Sequence, residues 1–110
     1  MNIVHKDLAR GRWAQMPLVE QMANIGSEVE RALNWRKRKN ADHARKAFER
    51  ALELIDLSLG AAGSLPRLKE LARVRETLVD HFFGTNEFVS TEVSLQKYFL
   101  HFVYAARRNH

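Results

Sequence analysis

The chain has 110 residues, with 18 lysines and arginines against 13 acids, a formal charge of +5, and 45% apolar side chains. These residues suit one domain with a buried core and leave no room for a second fold, so any active site must lie within it or across a subunit interface. Cysteine is absent, which removes disulfides, thiolate chemistry and most zinc sites and fits a cytoplasmic setting.

No stretch approaches the roughly 18 apolar residues of a membrane span, and the amino end has no apolar core behind a positive segment. Neither export nor membrane insertion is expected. The excess of positive charge favours anionic partners.

Residues 1–16 show no sustained periodicity and are read as an arm, irregular or holding a short helix, ahead of a helical domain over residues 17–110. Pro17 suits a first helical turn, and Leu18, Met22, Ile25, Val29 and Ala32 then recur at steps of four and three, predicting a helix to about Arg36. Gly26 lies beside that stripe, where only close approach of another helix justifies its cost of about 1 kcal/mol relative to alanine.

Asn40 or Asp42 caps a second predicted helix, whose apolar face includes Ala44, Ala47, Phe48, Ala51 and Ile55 and which ends at Gly60. Ser64 and Pro66 open a third, carrying Leu68, Leu71, Val74, Leu78 and Phe82 and stopping near Gly84. Ser90 or Thr91 starts a fourth, faced by Leu95, Phe99, Phe102 and Ala106, with Arg107 and Arg108 suited to its carboxyl end. No segment alternates like a strand, and the connections are short. The fold class expected is therefore all-α, an up-and-down four-helix bundle with Arg36–Lys39 and His81–Glu87 at one pole.

The run Arg36, Lys37, Arg38, Lys39, followed by Arg45, is the densest positive charge and a candidate nucleic-acid or anion site, although no aromatic residue interrupts it. The same cations suit a solvated loop at a helix carboxyl end. The five histidines show no ligand spacing, so no metal site is expected, and neither proposed activity below needs a cofactor.

The segment Arg73 to Gly84, R-V-R-E-T-L-V-D-H-F-F-G, places Arg75 on the border of the apolar stripe, with Asp80 and His81 further along the helix. An arginine holds a phosphate in a planar fork, and a histidine exchanges protons near neutral pH. Arg75, His81, Phe82, Phe83 and Gly84 resemble the motif of the HEPN family, all-α domains with an arginine, four to six intervening residues and a histidine on one helix. Glu76 stands where that family commonly has Asn or Asp, and in the closest subgroup the histidine aligns with Asp80, with Phe82 in place of tyrosine.

The resemblance implies a homodimer with paired motifs in a cleft, and either RNase or toxin activity or a non-catalytic binding role. The sequence thus suggests an interaction or RNA-binding module with a protein or RNA partner, or else a metal-independent RNase using Arg75 and His81, supported by Arg73 and Asp80. The plain structural alternative is that Arg75 forms an ion pair along its own helix or with Glu28 or Glu30, and that His81 is a helix-end residue favoured by the helix dipole.

Overall fold

A computed structural model describes residues 11–108, which are helical apart from the connections. Four long helices follow a short helical segment at residues 11–15: α1 (Leu18–Lys37), α2 (Ala41–Gly60), α3 (Leu65–Phe83) and α4 (Glu92–Arg108). There is no strand among the described residues. None of the described helices is long and apolar enough to cross a membrane.

The ends follow from local chemistry. Asn40 caps α2 by accepting the His43 amide, and Ser64 accepts the Arg67 amide at the start of α3, where Pro66 fits the first turn. At α4, Thr91 Oγ1 accepts the Ser94 amide while Ser94 Oγ accepts the Thr91 amide, a reciprocal cap with serine in the usual Glu or Gln position. The end of α1 is closed by Lys39 N–H to the Arg36 carbonyl and Asn40 N–H to the Trp35 carbonyl, both at 3.0 Å. That Schellman closure requires a left-handed residue, and here it is Lys39, with φ of 60°.

Central to the packing, α1 lies against both α2 and α4, while α3 packs chiefly on α2. Met22, Ile25, Val29 and Leu33 from α1 meet Phe48, Ile55, Leu78 and Phe99 in a continuous core. A Cβ at Gly26 would lie 2.7 Å from Phe99 Cβ, so the missing side chain is what lets α4 sit this close to α1.

Of the segment read as an arm, residues 1–10 lie outside the described residues, while 11–15 are helical and held to the body. Trp13 is buried, and its indole N–H donates to Ser58 Oγ at 2.8 Å. Buried Gln21 donates to the Trp13 and Met16 carbonyls at 2.9 and 3.1 Å, tying this segment to the first turn of α1.

Candidate functional site

The carboxyl ends of α1 and α3 meet beside the starts of α2 and α4, and the central contact is between Arg36 and His81. Arg36 Nη2 lies 3.0 Å from His81 Nε2, and its guanidinium stands 4.8 Å from the centre of the Phe82 ring. On the other side of the imidazole, Nδ1 is 3.1 Å from Ser90 Oγ, which is itself 3.1 Å from Asn86 Oδ1.

Arginine only donates and the Asn86 carbonyl oxygen only accepts, so the direction of this chain is determined. Arg36 donates to a bare Nε2, His81 Nδ1–H donates to Ser90 Oγ, and the Ser90 hydroxyl donates to Asn86. The imidazole is therefore neutral. Burial holds its pKa below the ordinary 6.5, and the Arg36 charge pushes it further down.

Asp80 organises the loop after α3. Its carboxylate accepts the Glu87 and Phe88 amides at 2.8 and 3.0 Å, and its carbonyl accepts the Gly84 amide at 3.0 Å. Gly84 is required there because a Cβ would come within 2.9 Å of Asp80 Cα. Asn86 and Val89 both take left-handed backbone, φ 59° and 52°, which is costly for β-branched Val89. Asn86 accepts the Ser90 amide and donates to the Ser90 carbonyl, holding this strained turn closed.

The cation run is thus distributed among unlike partners. Arg36 is committed to His81, and Lys37 Nζ lies 2.9 Å from Glu92, which raises the lysine pKa. Arg38 lies over Trp35, whose ring stacks on His43 at 4.5 Å, and Arg45 has only a long contact of 3.9 Å to Glu49. Lys39 makes no ion pair among the described residues. At this end of the bundle Phe83 closes α3 with its ring edge-on to Phe48, and Phe88 lies in the loop after it; both are largely exposed, at 59% and 54%.

Arg75 faces elsewhere. Its Nε and Nη2 donate to Asp56 Oδ1 and Oδ2 on α2 at 2.8 and 3.5 Å, which raises its pKa, while Glu28 pairs with Arg31 and Glu30 accepts from Gln96. His81 lies six positions beyond Arg75, a rotation that leaves their side chains about 120° apart and about 9 Å along the axis. Within one chain, then, the two candidate catalytic residues are engaged with different helices.

Arg73 lines a cleft of about 580 Å³ between α3 and α4, with Val74, Leu78, Leu95, Tyr98 and Phe99. Tyr98 spans it, donating to Glu70 at 2.8 Å, and burial together with that carboxylate raises the phenol pKa. No group of three or more His, Asp or Glu side chains among the described residues is arranged to hold a metal ion.

Several members of the site escape sequence reasoning: Trp35 and His43, Asn86 and Ser90, Phe88, and Asp56 as the partner of Arg75. A faint signal was present for Asn86 and Ser90, two small polar residues bracketing the only turn between α3 and α4. Compared with protein-family models, curated proteins and solved structures, the chain matches none of them.

Proposed function

We propose that the protein is a non-catalytic RNA-binding module that works as a homodimer and takes single-stranded RNA at the pole built from Arg36–Lys39 and the 84–91 loop. The observation that carries this reading is that exposed Phe83 and Phe88 belong to the same end of the bundle as the Arg36–Lys39 run, where Arg38 already lies over the Trp35 ring. Aromatic rings that stack bases next to cations that contact phosphates are how single strands are bound without sequence readout. Lys39 adds weight, because it places a cation where the backbone conformation favours glycine.

The same reading takes the fold as an up-and-down four-helix bundle. The cross-helix contacts support it: Gly26 to Phe99 and Lys37 to Glu92 run in opposite register, as do Phe48 to Phe82 and Asp56 to Arg75. The HEPN resemblance enters as the binding class of that family. A metal-independent RNase is the weaker reading because Arg75 and His81 are each tied to a different internal partner. Cytoplasmic residence accords with a chain free of cysteine.

The test is fluorescence anisotropy with a labelled oligouridine across a salt series. Phe88→Ala is expected to weaken binding about fivefold or more, the scale of one lost stacking contact. Lys39→Gly is expected to lower the salt slope by about one. Wild-type protein with no measurable oligouridine binding, or binding unchanged in both variants, overturns the reading. In parallel, RNA kept with wild type and with His81→Ala, chelator present, is expected to stay intact in both; cleavage by wild type alone moves the conclusion to the nuclease.

A further inference from the structure

Helix α4 carries apolar residues on two sides. Leu95, Phe99 and Phe102 turn toward the core. At about 100° per residue, Val93, Leu100 and Tyr104 fall together on a strip roughly opposite. These three are 58%, 48% and 56% exposed.

A helix on a protein surface normally turns charge outward. Helix α3 does so, with Lys69, Arg73 and Glu76 all exposed. Between Val93 and Ala106, α4 has Lys97 as its only Asp, Glu, Lys or Arg. Its outer strip therefore differs from the neighbouring helix in the same molecule, and nothing among the described residues covers it.

We propose that this strip joins two copies of the chain through an antiparallel α4–α4 contact about a twofold axis near Leu100. The reading rests on the homodimer part of the proposed function and is independent of the RNA site. The charges on α4 favour a second copy in this orientation: Glu92 opens the helix, and Arg107 and Arg108 close it. An antiparallel pair sets each acidic start against a basic end, twice over, whereas a parallel pair stacks like ends together.

Glu92 already holds Lys37 through one oxygen at 2.9 Å, and a carboxylate has a second oxygen to offer. The same alignment brings Lys97 opposite the Tyr104 ring of the other copy, where the aliphatic stem packs and the ammonium meets the ring face. Beside the axis, Leu100 and Val103 line a recess of about 510 Å³ where α4 meets Gly26 and Ser27 of α1, open to an apolar side chain from the second copy. The contact is isologous, so every favourable pair occurs twice.

The chain's lack of cysteine supplies a clean test. Leu100→Cys, near the axis, is expected to form a disulfide-linked dimer readily under mild oxidation, while Leu65→Cys, more exposed still on α3, stays monomeric on denaturing gels. In sedimentation equilibrium, Leu100→Glu is expected to raise the dimer dissociation constant about tenfold or more, because it places a charge in an apolar contact. Its helical circular dichroism should match wild type, since the substituted side chain is half exposed. Reversing the ends with Arg107→Glu and Arg108→Glu should weaken the dimer, and adding Glu92→Arg should restore it.

A wild type that dimerises equally well as Leu100→Glu overturns this surface while leaving the homodimer standing. A wild type that stays monomeric at millimolar concentration overturns both. Neither result bears on oligouridine binding, which has its own assay.

Discussion

At the scale of single residues, the environment of His81 makes a directional prediction. Above the ordinary pKa of 6.5 the imidazole is neutral whether the chain is folded or not. As pH falls below that value the unfolded chain takes up a proton that burial and Arg36 resist in the folded state. Stability is therefore highest above 6.5 and is lost as pH falls toward the lowered folded value. Urea midpoints measured between about pH 7.5 and 5 should decline for wild type and decline less for His81→Gln, which cannot titrate.

Arg75 belongs to the same scale and illustrates what its ion pair is worth. Its side chain and that of Asp56 are 39% and 54% exposed, so water and salt screen the contact. Arg75→Ala is expected to cost less than about 1 kcal/mol in urea unfolding, with the coupling to Asp56→Ala smaller still at high salt. The residue types in the Arg73 to Gly84 segment were legible from sequence, as was the border position of Arg75. Its partner was not, because choosing Asp56 over Glu28 or Glu30 depends on which helix packs beside α3.

At the scale of elements, two positions oppose local preference to packing. Gly26→Ala gains about 1 kcal/mol of helix propensity but drives a Cβ into Phe99, and overpacking of this kind costs about 1–3 kcal/mol. Net destabilisation is expected, visible as a lower thermal midpoint. Lys39→Gly works in the other sense, since a left-handed non-glycine residue costs about 1–2 kcal/mol. Even after the entropy glycine adds to the unfolded chain, the variant should unfold at a higher temperature. A protein that becomes more stable yet loses RNA affinity would separate binding from folding at that residue.

The elements themselves were read from sequence because helix signals are local. The Asn40 and Ser64 caps, Pro66 and the apolar spacing of each helix all act within a turn or two of chain. The left-handed Lys39 was not read, since no glycine marks it and lysine seldom takes that backbone. The turn at residues 84–91 was equally opaque, because Asp80 closes it from inside the preceding helix.

For the whole molecule, the segment at residues 11–15 behaves as part of the body. Trp13→Phe keeps most of the ring's packing but leaves Ser58 Oγ buried without its donor, and the expected cost is about 1–3 kcal/mol by urea unfolding. Ser58→Ala together with Trp13→Phe should cost less than the sum of the two single changes, since they share one hydrogen bond. The isolated apolar ring of Trp13 in an otherwise aperiodic segment gave no hint of this, because its partner lies 45 residues away.

What the sequence by itself determined is the all-helical class, the four long helices and their caps, and the glycine at which two helices draw close. Those follow from backbone propensity and apolar spacing, which act over short distances along the chain. That Arg36–Lys39 and His81–Glu87 share a pole was legible from the order of the helices, but tertiary structure alone decided the pairings there: Arg36 with His81, and His81 with Ser90 and Asn86. It also decided that Arg75 turns to Asp56 and that the second apolar side of α4 has no cover among the described residues. Side chains far apart in sequence become neighbours only through the packing of whole helices, and that packing is set by the summed burial of many apolar residues rather than by any motif.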